Sequence, residues 1–525
     1  MSISAVIEPH PSRASAASAG KAPDPGSGLA LGFGVLYVVL ALIYMFFGRF
    51  VGDEGWEALA ARNVLEGKML YRDFHFSQMP LVPYLYAGWF ALFGPGIEAG
   101  RALSLLCGLA GLVCGVKACY ARAGALGAFL CGALLTLNLN YLADTVVFRT
   151  QPLSVALTGL GIFVLSKPVP GRQLVQLGLA MLCMSLAFLG RLSLLPAIVL
   201  LWPYALWVGR GRWPWVAALV AVNASLLAGV FLFFYSDGNL IFSIYRTHQE
   251  FFGFPPWTFE RLFGYFLGGW AANQLLLIFG LLWAIAWLAR EAWLLGLKRV
   301  LESEDLLLWF YLLAAYAGVT LIHVINVQSH PTHQTSIVIF AAVLGAVAMA
   351  RGLQGSEPRI RRLVAASFVM LGLLSAPAQE WALDFSGKGS MGSLAEASRV
   401  IRHYARPDSS ILTLSAELPV NSGLRILPGY DMSEFTYFPK MDDARTAKLK
   451  VTNRAKLRAD LTGGKADILC LGDREYSMLA RGDDEEAKEL RKIIAEHFTH
   501  VAQIEGYGQF LGNMIVFVAK EQKGP

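Results

Sequence analysis

The chain has 525 residues, of which 55% are hydrophobic and only 16% charged, whereas soluble globular domains carry roughly 25% charged residues. That composition, with its long uncharged runs, excludes a soluble globular protein and places the chain in the polytopic membrane class. The formal net charge of +6 requires no nucleic-acid partner, since the cation excess of cytoplasmic loops accounts for it, and there is no Gly-rich phosphate loop to support ATP hydrolysis.

Residues 1–28 are rich in Ser, Ala, Gly and Pro and lack apolar periodicity, which is the pattern of a disordered cytoplasmic tail. They do not form a cleavable signal peptide, because the first apolar run is too long and follows a polar stretch. Eleven apolar runs then recur, at 29–49, 98–119, 125–140, 145–166, 173–190, 192–208, 214–234, 265–289, 305–324, 334–350 and 362–378. Each is near the ~20 residues a helix needs to cross a bilayer, some being shorter. The apolar segment 80–93 contains two prolines and runs into an FGPG turn, so it is expected in the interface rather than across the membrane. Cys107, Cys114, Cys119, Cys131 and Cys183 lie in apolar segments, and Cys470 stands alone. No CxxC pair is present, so neither a structural zinc nor a disulfide framework is indicated.

The cations set the topology. With the N-terminus inside, the cytoplasmic side receives Arg13 and Lys21, Lys117 and Arg122, Lys167 and Arg172, then Arg210 and Arg212. It next receives Arg290, Lys298 and Arg299, and finally Arg351, Arg359, Arg361 and Arg362. The short outer turns 141–144 and 325–333 carry no Lys or Arg, in agreement with the positive-inside rule. One outer face therefore collects residues 51–97, Asp144, Arg191, the loop 235–264 and the His330/His333 turn.

The richest of these is Val51–Pro83, VGDEGWEALAARNVLEGKMLYRDFHFSQMPLVP, which follows directly on the first span. It places Asp53, Glu54, Glu57, Glu66, Asp73 and His75 where membrane meets water. An acidic pair there suits proton transfer; it equally suits the N-terminus of an interfacial helix capped by Asp53.

Ionisable groups at membrane depth are costly, roughly 2.5–3.5 kcal/mol at a helix centre. Arg191, in LAFLGRLSLLP, and Arg149, in DTVVFRTQP, both fall at expected helix ends on the outer face. Their forked guanidinium groups suit an anionic lipid headgroup, and snorkelling to the interface is the competing role. The loop 237–262 mixes aromatic residues with Arg246, His248, Glu250 and Arg261, a composition that fits sugars, acyl chains or an interfacial aromatic belt. His323, His330 and His333 cluster in LIHVINVQSHPTHQTS. No carboxylate accompanies HPTH, so hydrogen bonding to phosphate or sugar is the expected role and a divalent metal the only cofactor to consider.

From about residue 385 the composition changes. Strand-like runs SSILTLSA, ADILCLG and NMIVFVA alternate with charged helical patterns, which argues a small α/β domain over 385–525. EEAKELRKIIAEHF is the clearest amphipathic segment, with apolar positions at Leu490, Ile493, Ile494 and Phe498. An odd number of spans puts this domain outside, in the periplasm of a bacterium.

Residues 30–380 resemble the GT-C glycosyltransferases that use polyprenyl-phosphate sugars, the group of protein O-mannosyltransferases and lipid A aminoarabinose transferases. Three features in order carry the resemblance: the Asp53-Glu54 pair opening the first outer loop, the run GKMLYRDFHFSQMPLVPYLYAGWFALFGPGIEAGR, and the late HPTH turn. Two departures stand out. Relatives of the aminoarabinose type have Lys-Pro-Pro where this chain has Gln78-Met79-Pro80, and many relatives have Asp-Pro where it has Thr150-Gln151-Pro152. That second acid is missing unless Asp144 substitutes.

The resemblance implies a GT-C membrane domain over 29–380, with about eleven transmembrane helices, its first periplasmic loop at 50–97, and the C-terminal periplasmic domain beyond it. It implies an inner-membrane enzyme making an inverting transfer from a polyprenyl-phosphate sugar to a periplasmic acceptor: lipid A core, another envelope glycan or a protein. It casts Asp53, with Glu54 as its rival, as the carboxylate that takes the acceptor proton. Arg72, His75, Gln78, Arg149, Arg191, His330 and His333 become the donor phosphate and sugar ligands. The leaving phosphate is already a stable anion, so cations rather than a general acid are needed. A lipid flippase or transporter, and a scaffold for the outer domain, are the other classes compatible with this polar face; no convincing internal repeat favours the transporter.

Overall fold

A backbone in hydrocarbon must satisfy its own N–H and C=O groups, so the apolar runs fold as helices. The computed structural model describes residues 25–520 apart from 236–237, 253–257, 259–271, 326–330, 376–387, 407 and 481–483. His330, Arg261 and the tail up to residue 24 lie outside the described residues.

The first span is α1 (Pro25–Phe47), beginning on a proline whose fixed φ suits a first helical turn. The outer loop holds two short helices, α2 (Gly52–Leu65) and α3 (Leu81–Phe93). There follow α4 (Ile97–Thr136), α5 (Leu139–Val146), α6 (Thr150–Ser166), α7 (Gln173–Gly190), α8 (Leu195–Val208) and α9 (Trp213–Phe234). Further helices run Ala272–Glu302, Glu304–Ile325, Thr335–Gly352 and Pro358–Ser375. Among the described residues seven helices are long and apolar enough to cross a membrane. The bent pair 140–146 and 150–166, whose halves meet at 111°, makes an eighth when taken as one span.

The 40-residue α4 is two helices joined at Gly124, whose φ of 69° is left-handed. A Cβ on Gly115 would lie 3.3 Å from Cys131 Sγ and 3.4 Å from Leu135 Cδ1. A straight helix would separate residues 115 and 131 by about 24 Å. The chain therefore doubles back beside Arg122, and the runs expected at 98–119 and 125–140 are separate spans. The segment 141–144, expected as a turn, is instead helical in α5, and the chain bends just after it.

Thr335–Gly352 is the most buried of the spans and packs against α4, α6 and Ala272–Glu302. The outermost spans are the opposite case: Leu232 and Phe233 of α9 are exposed, and only 17% of that span's most apolar stretch is buried. Such apolar surface is stable only against lipid. The chain is a multi-pass membrane protein.

Residues 388–520 build a mixed sheet from β1 (Ser410–Thr413), β2 (Arg425–Ile426), β3 (Ile468–Gly472), β4 (Phe498–Tyr507) and β5 (Gly512–Ala519). The strand order is β2-β1-β3-β5-β4. β1 is parallel to β2 and β3, while β5 is antiparallel to both β3 and β4. In the amphipathic helix Asp484–His497, Leu490 and Ile494 are buried as the spacing requires. Phe498 belongs instead to β4, a strand that the sequence pattern left unassigned.

The sheet domain docks on α2. A Cβ at position 55 would stand 2.4 Å from Glu417 N and 2.6 Å from Glu417 Oε2, so only glycine fits there. Two turns further on, Arg62 Nη1 donates to the carbonyls of Pro419 and Leu424, both at 2.9 Å. Asn63 Nδ2 donates to Asp431 Oδ1 at 3.0 Å. On its other side α2 is tied to the membrane helices by Glu54, which is fully buried. Arg101 Nε and Nη2 donate to Glu54 Oε1 and Oε2 at 2.7 Å each. Arg101 also donates to Met45 O at 2.8 Å, and Glu54 Oε1 accepts the Phe148 N–H at 3.0 Å.

Removing one partner of a buried ion pair strands the other charge, at a cost of roughly 3–5 kcal/mol. Arg101→Met is therefore predicted to destabilise the protein by about that amount. Thermal unfolding in detergent tests this, and a variant that melts together with the wild type would refute it.

Candidate functional site

Consecutive residues on a helix point about 100° apart, so Asp53 and Glu54 cannot share a side. Helix α2 starts at Gly52 after an extended Val51, and the Val51 N–H is held by Glu54 Oε2 at 3.1 Å. Glu54 turns inward to Arg101 and Asp53 turns to Arg149. Arg149 Nε donates to Asp53 Oδ2 at 2.8 Å, and Nη2 bonds the same oxygen. Among the described residues Asp53 Oδ1 has no hydrogen bond, and about a third of the side chain is exposed.

Arg149 stands at the N-terminus of α6, just after the bend from α5. The bend lets one guanidinium serve two acids, with its Nη1 3.6 Å from Asp144 Oδ1. Asp144 is buried, and its Oδ2 accepts from Thr335 Oγ1 at 2.6 Å. Asp144 thus joins the site from α5, ahead of the Thr150-Gln151-Pro152 segment that opens α6.

Arg191 ends α7 in an extended conformation. Its Nη1 donates to Thr150 Oγ1 at 2.7 Å, and its Nε is buried with no partner among the described residues. His323 lies within electrostatic range of Arg191, and the His333 ring is 6.0 Å from that of His323. Asp53, Arg149 and Arg191 therefore gather at one place, and His333 is reached from it only through His323.

Arg72, His75 and Gln78 do not join this group. Arg72 directs its fork at neighbouring Asp73, at 3.0 and 2.8 Å, on the exposed surface. His75 is buried, its Nδ1 3.1 Å from Ser243 Oγ and its Nε2 3.4 Å from Thr247 Oγ1. Gln78 is half-buried, and its backbone carbonyl accepts from the Tyr71 hydroxyl at 2.7 Å.

Glu57 was given no role by the sequence, although its spacing from Asp53 was a usable signal. Residues i and i+4 share a helix face. Glu57 is buried, and its Oε2 has no partner among the described residues. Burial, reinforced by the Asp53 charge and opposed by Arg149 and Arg191, pushes its carboxyl up to about 8. The sheet domain supplies a further wall that no local pattern could announce. Trp56 meets Phe435 at 5.2 Å, and Phe435 also touches His248 at 5.5 Å and Phe251 at 5.1 Å. Arg445 pairs with Glu250 at 2.5 Å.

Among the described residues no group of three or more His, Cys, Asp or Glu side chains is placed to hold a metal ion. Asp53 and Asp144 already face Arg149. These residues do not fit a metal, and no step is assigned to one.

A part-buried acid–arginine group thus lies at the start of α2, the start of α6 and the end of α7, beside a membrane bundle and next to a small sheet domain. Solved structures share this fold. ArnT from Cupriavidus metallidurans bound to undecaprenyl phosphate matches with a TM-score of 0.57 at 14% identity, covering 95% of this chain and 99% of that one. The same protein in the apo state matches with a TM-score of 0.53 at 15% identity, covering 93% and 98%. The Archaeoglobus fulgidus oligosaccharyltransferase in complex with zinc and sulfate gives 0.52 at 12% identity, covering 93% and 75%. No protein-family model matches the chain, and no curated protein matches it in sequence. The chain has the GT-C fold.

A pH prediction follows from His75, which burial, with a smaller push from His248, lowers from 6.5 to about 3. Below about pH 6.5 the unfolded chain takes up a proton that the folded chain refuses, so stability falls with pH, by up to about 1.4 kcal/mol per unit down to about pH 3. His75→Gln keeps the hydrogen bonds and removes that slope. Melting curves of the two proteins are expected to diverge below pH 6; parallel curves would contradict the burial of a neutral His75.

Proposed function

We propose that this protein is an inverting glycosyltransferase that moves a sugar from a polyprenyl-phosphate donor to an acceptor outside the cytoplasm. The observation that carries the reading is the placing of Asp53, a third exposed and with one oxygen free among the described residues, close to Arg191, whose buried Nε has no partner among them. The GT-C fold supports it, as does the undecaprenyl phosphate bound by ArnT.

In this mechanism Arg191 holds the donor phosphate. The acceptor hydroxyl attacks the anomeric carbon from the side opposite the phosphate. The bond from that carbon to the phosphate oxygen breaks, and the leaving polyprenyl phosphate keeps the electron pair. Asp53 Oδ1 takes the hydroxyl proton as the new glycosidic bond forms. Arg149 fixes Asp53 through Oδ2 and leaves Oδ1 turned to the acceptor, and Asp144 and Thr335 hold Arg149 in place. Glu54 is then structural and Asp53 the base. Arg191 Nη1 and Nε supply the electrostatic support that a departing phosphate needs.

The cation distribution supports a location in a bacterial inner membrane, with the N-terminus inside. The catalytic domain of 29–380 then opens to the periplasm, where the domain of 385–525 also lies. Docking of that domain on α2 supports a role in shaping access for a lipid, glycan or protein acceptor.

Purified protein given a radiolabelled polyprenyl-phosphate sugar and candidate acceptors is expected to consume the donor and invert the anomeric centre. A flippase would move the donor without consuming it. Asp53→Asn should still fold and bind donor but lose about 10²–10⁴-fold in transfer. Near-normal transfer by this variant would remove Asp53 from the mechanism.

A further inference from the structure

We infer that Glu57 faces the donor phosphate as a neutral carboxyl and donates a hydrogen bond to an oxygen that Arg191 grips from the other side. The inference rests on reading this place as a polyprenyl-phosphate sugar site.

Two buried groups carry the argument. Glu57 is 2% exposed and its Oε2 has no partner among the described residues; Arg191 Nε is buried and equally unpartnered among them. They lie within electrostatic range of each other and yet form no bond. An acid and a cation of opposite charge close on each other unless their backbones hold them apart, and here both are held. Glu57 sits one turn beyond Glu54, which Arg101 fixes with two bonds, and Arg191 is fastened to Thr150. A guanidinium nitrogen and a carboxyl oxygen, each buried and each left open among the described residues, can both be satisfied by one third group between them. That group must accept from a guanidinium, and a phosphate oxygen does so with its charge as well as its lone pairs.

The surrounding charges decide the state of Glu57. It is faced by Asp53 from its own helix, Arg149 from the start of α6 and Arg191 from the end of α7. The phenols of Tyr71 and Tyr86 also lie within range. Asp53 and Asp144 already balance the two arginines. An ionised Glu57 would leave the site net negative before any phosphate arrived. Its carboxyl is pushed up to about 8, so it is neutral at neutral pH, where it donates to the phosphate instead of repelling it. The acid is a positioning group for the donor, and its ionisation at higher pH should release the donor.

The test measures binding of a short-chain polyprenyl phosphohexose to the purified full-length protein between about pH 6 and pH 10. Its phosphodiester charge is constant over that range. Wild-type affinity is expected to be flat up to about pH 8 and then to fall by about tenfold per unit, because only the protonated acid accepts the anion. Glu57→Gln keeps a neutral N–H donor, so it should bind with near wild-type affinity and lose the fall at high pH. Glu57→Leu has no donor and should bind more weakly at every pH, again without the fall. Tight wild-type binding with no pH dependence would overturn the inference and leave the site reading intact. So would flat binding combined with a transfer rate that rises through pH 8, which would make Glu57 a base. If the wild type binds the probe at no pH, the site reading itself fails and the inference with it.

Discussion

The ion pair between Glu54 and Arg101 is the constraint on which the rest of the site depends. A buried pair earns little net stability when desolvation is counted, and its value lies in fixing geometry. Here it fixes the rotation of α2 against the start of α4. Glu54 also accepts the N–H of Phe148, an orphan donor at the bend before α6. One carboxylate thereby registers three elements: α2, α4 and the segment that leads into α6. With α2 so rotated, Asp53 is left facing Arg149, and Glu57 follows it one turn later. Phe148 in turn stacks on Tyr86 of α3 at 4.0 Å, so the short interfacial helix is held by the same bend.

A second constraint is the sharing of Arg149. A guanidinium has a rigid fork of donors, and both acids it serves are held where the fork points. Asp53 and Asp144 approach from an interfacial helix and a membrane helix, which ties the outer loop to the bundle. Asp144 is braced in turn by Thr335, at the start of the most buried span. The site is consequently anchored to the centre of the bundle and not to loops alone. That arrangement suits chemistry in which a carboxylate must keep its orientation while an anion leaves nearby.

The sheet domain is more than an appendage. Its contact with α2 runs through Gly55, Arg62 and Asn63, three residues on the helix that also carries Asp53 and Glu57. Glu417, at that contact, is buried and pushed up to about 8, and its Oε1 accepts from the Tyr507 hydroxyl at 2.8 Å. Trp56 on the same helix meets Phe435 of the sheet domain. The sheet domain is therefore in direct contact with the helix bearing the acids.

Much of this was legible in the chain itself. Hydrophobic runs announce the membrane helices, because lipid forbids unpaired backbone and penalises charge wherever it occurs. Alternating strand and helix patterns announce the sheet domain, and Lys117 and Arg122 mark the break between the runs 98–119 and 125–140. Asp53, Arg149 and Arg191 stand out for a similar reason, since charges at expected helix ends in an apolar chain are conspicuous. What the sequence could not decide is which charge meets which. Glu54 and Asp53 are adjacent and chemically alike, and only the position of Arg101, 47 residues from Glu54, sends one inward and leaves the other facing Arg149. Arg72 carries the same group as Arg149, yet its neighbour Asp73 claims it at the surface. Glu57 is an ordinary helical acid until packing removes its water and leaves an oxygen without a partner. Such outcomes depend on distances between segments remote in sequence, and electrostatic energies change steeply with distance and burial. A one-dimensional pattern carries the inventory of charges, and only the folded chain decides their pairing.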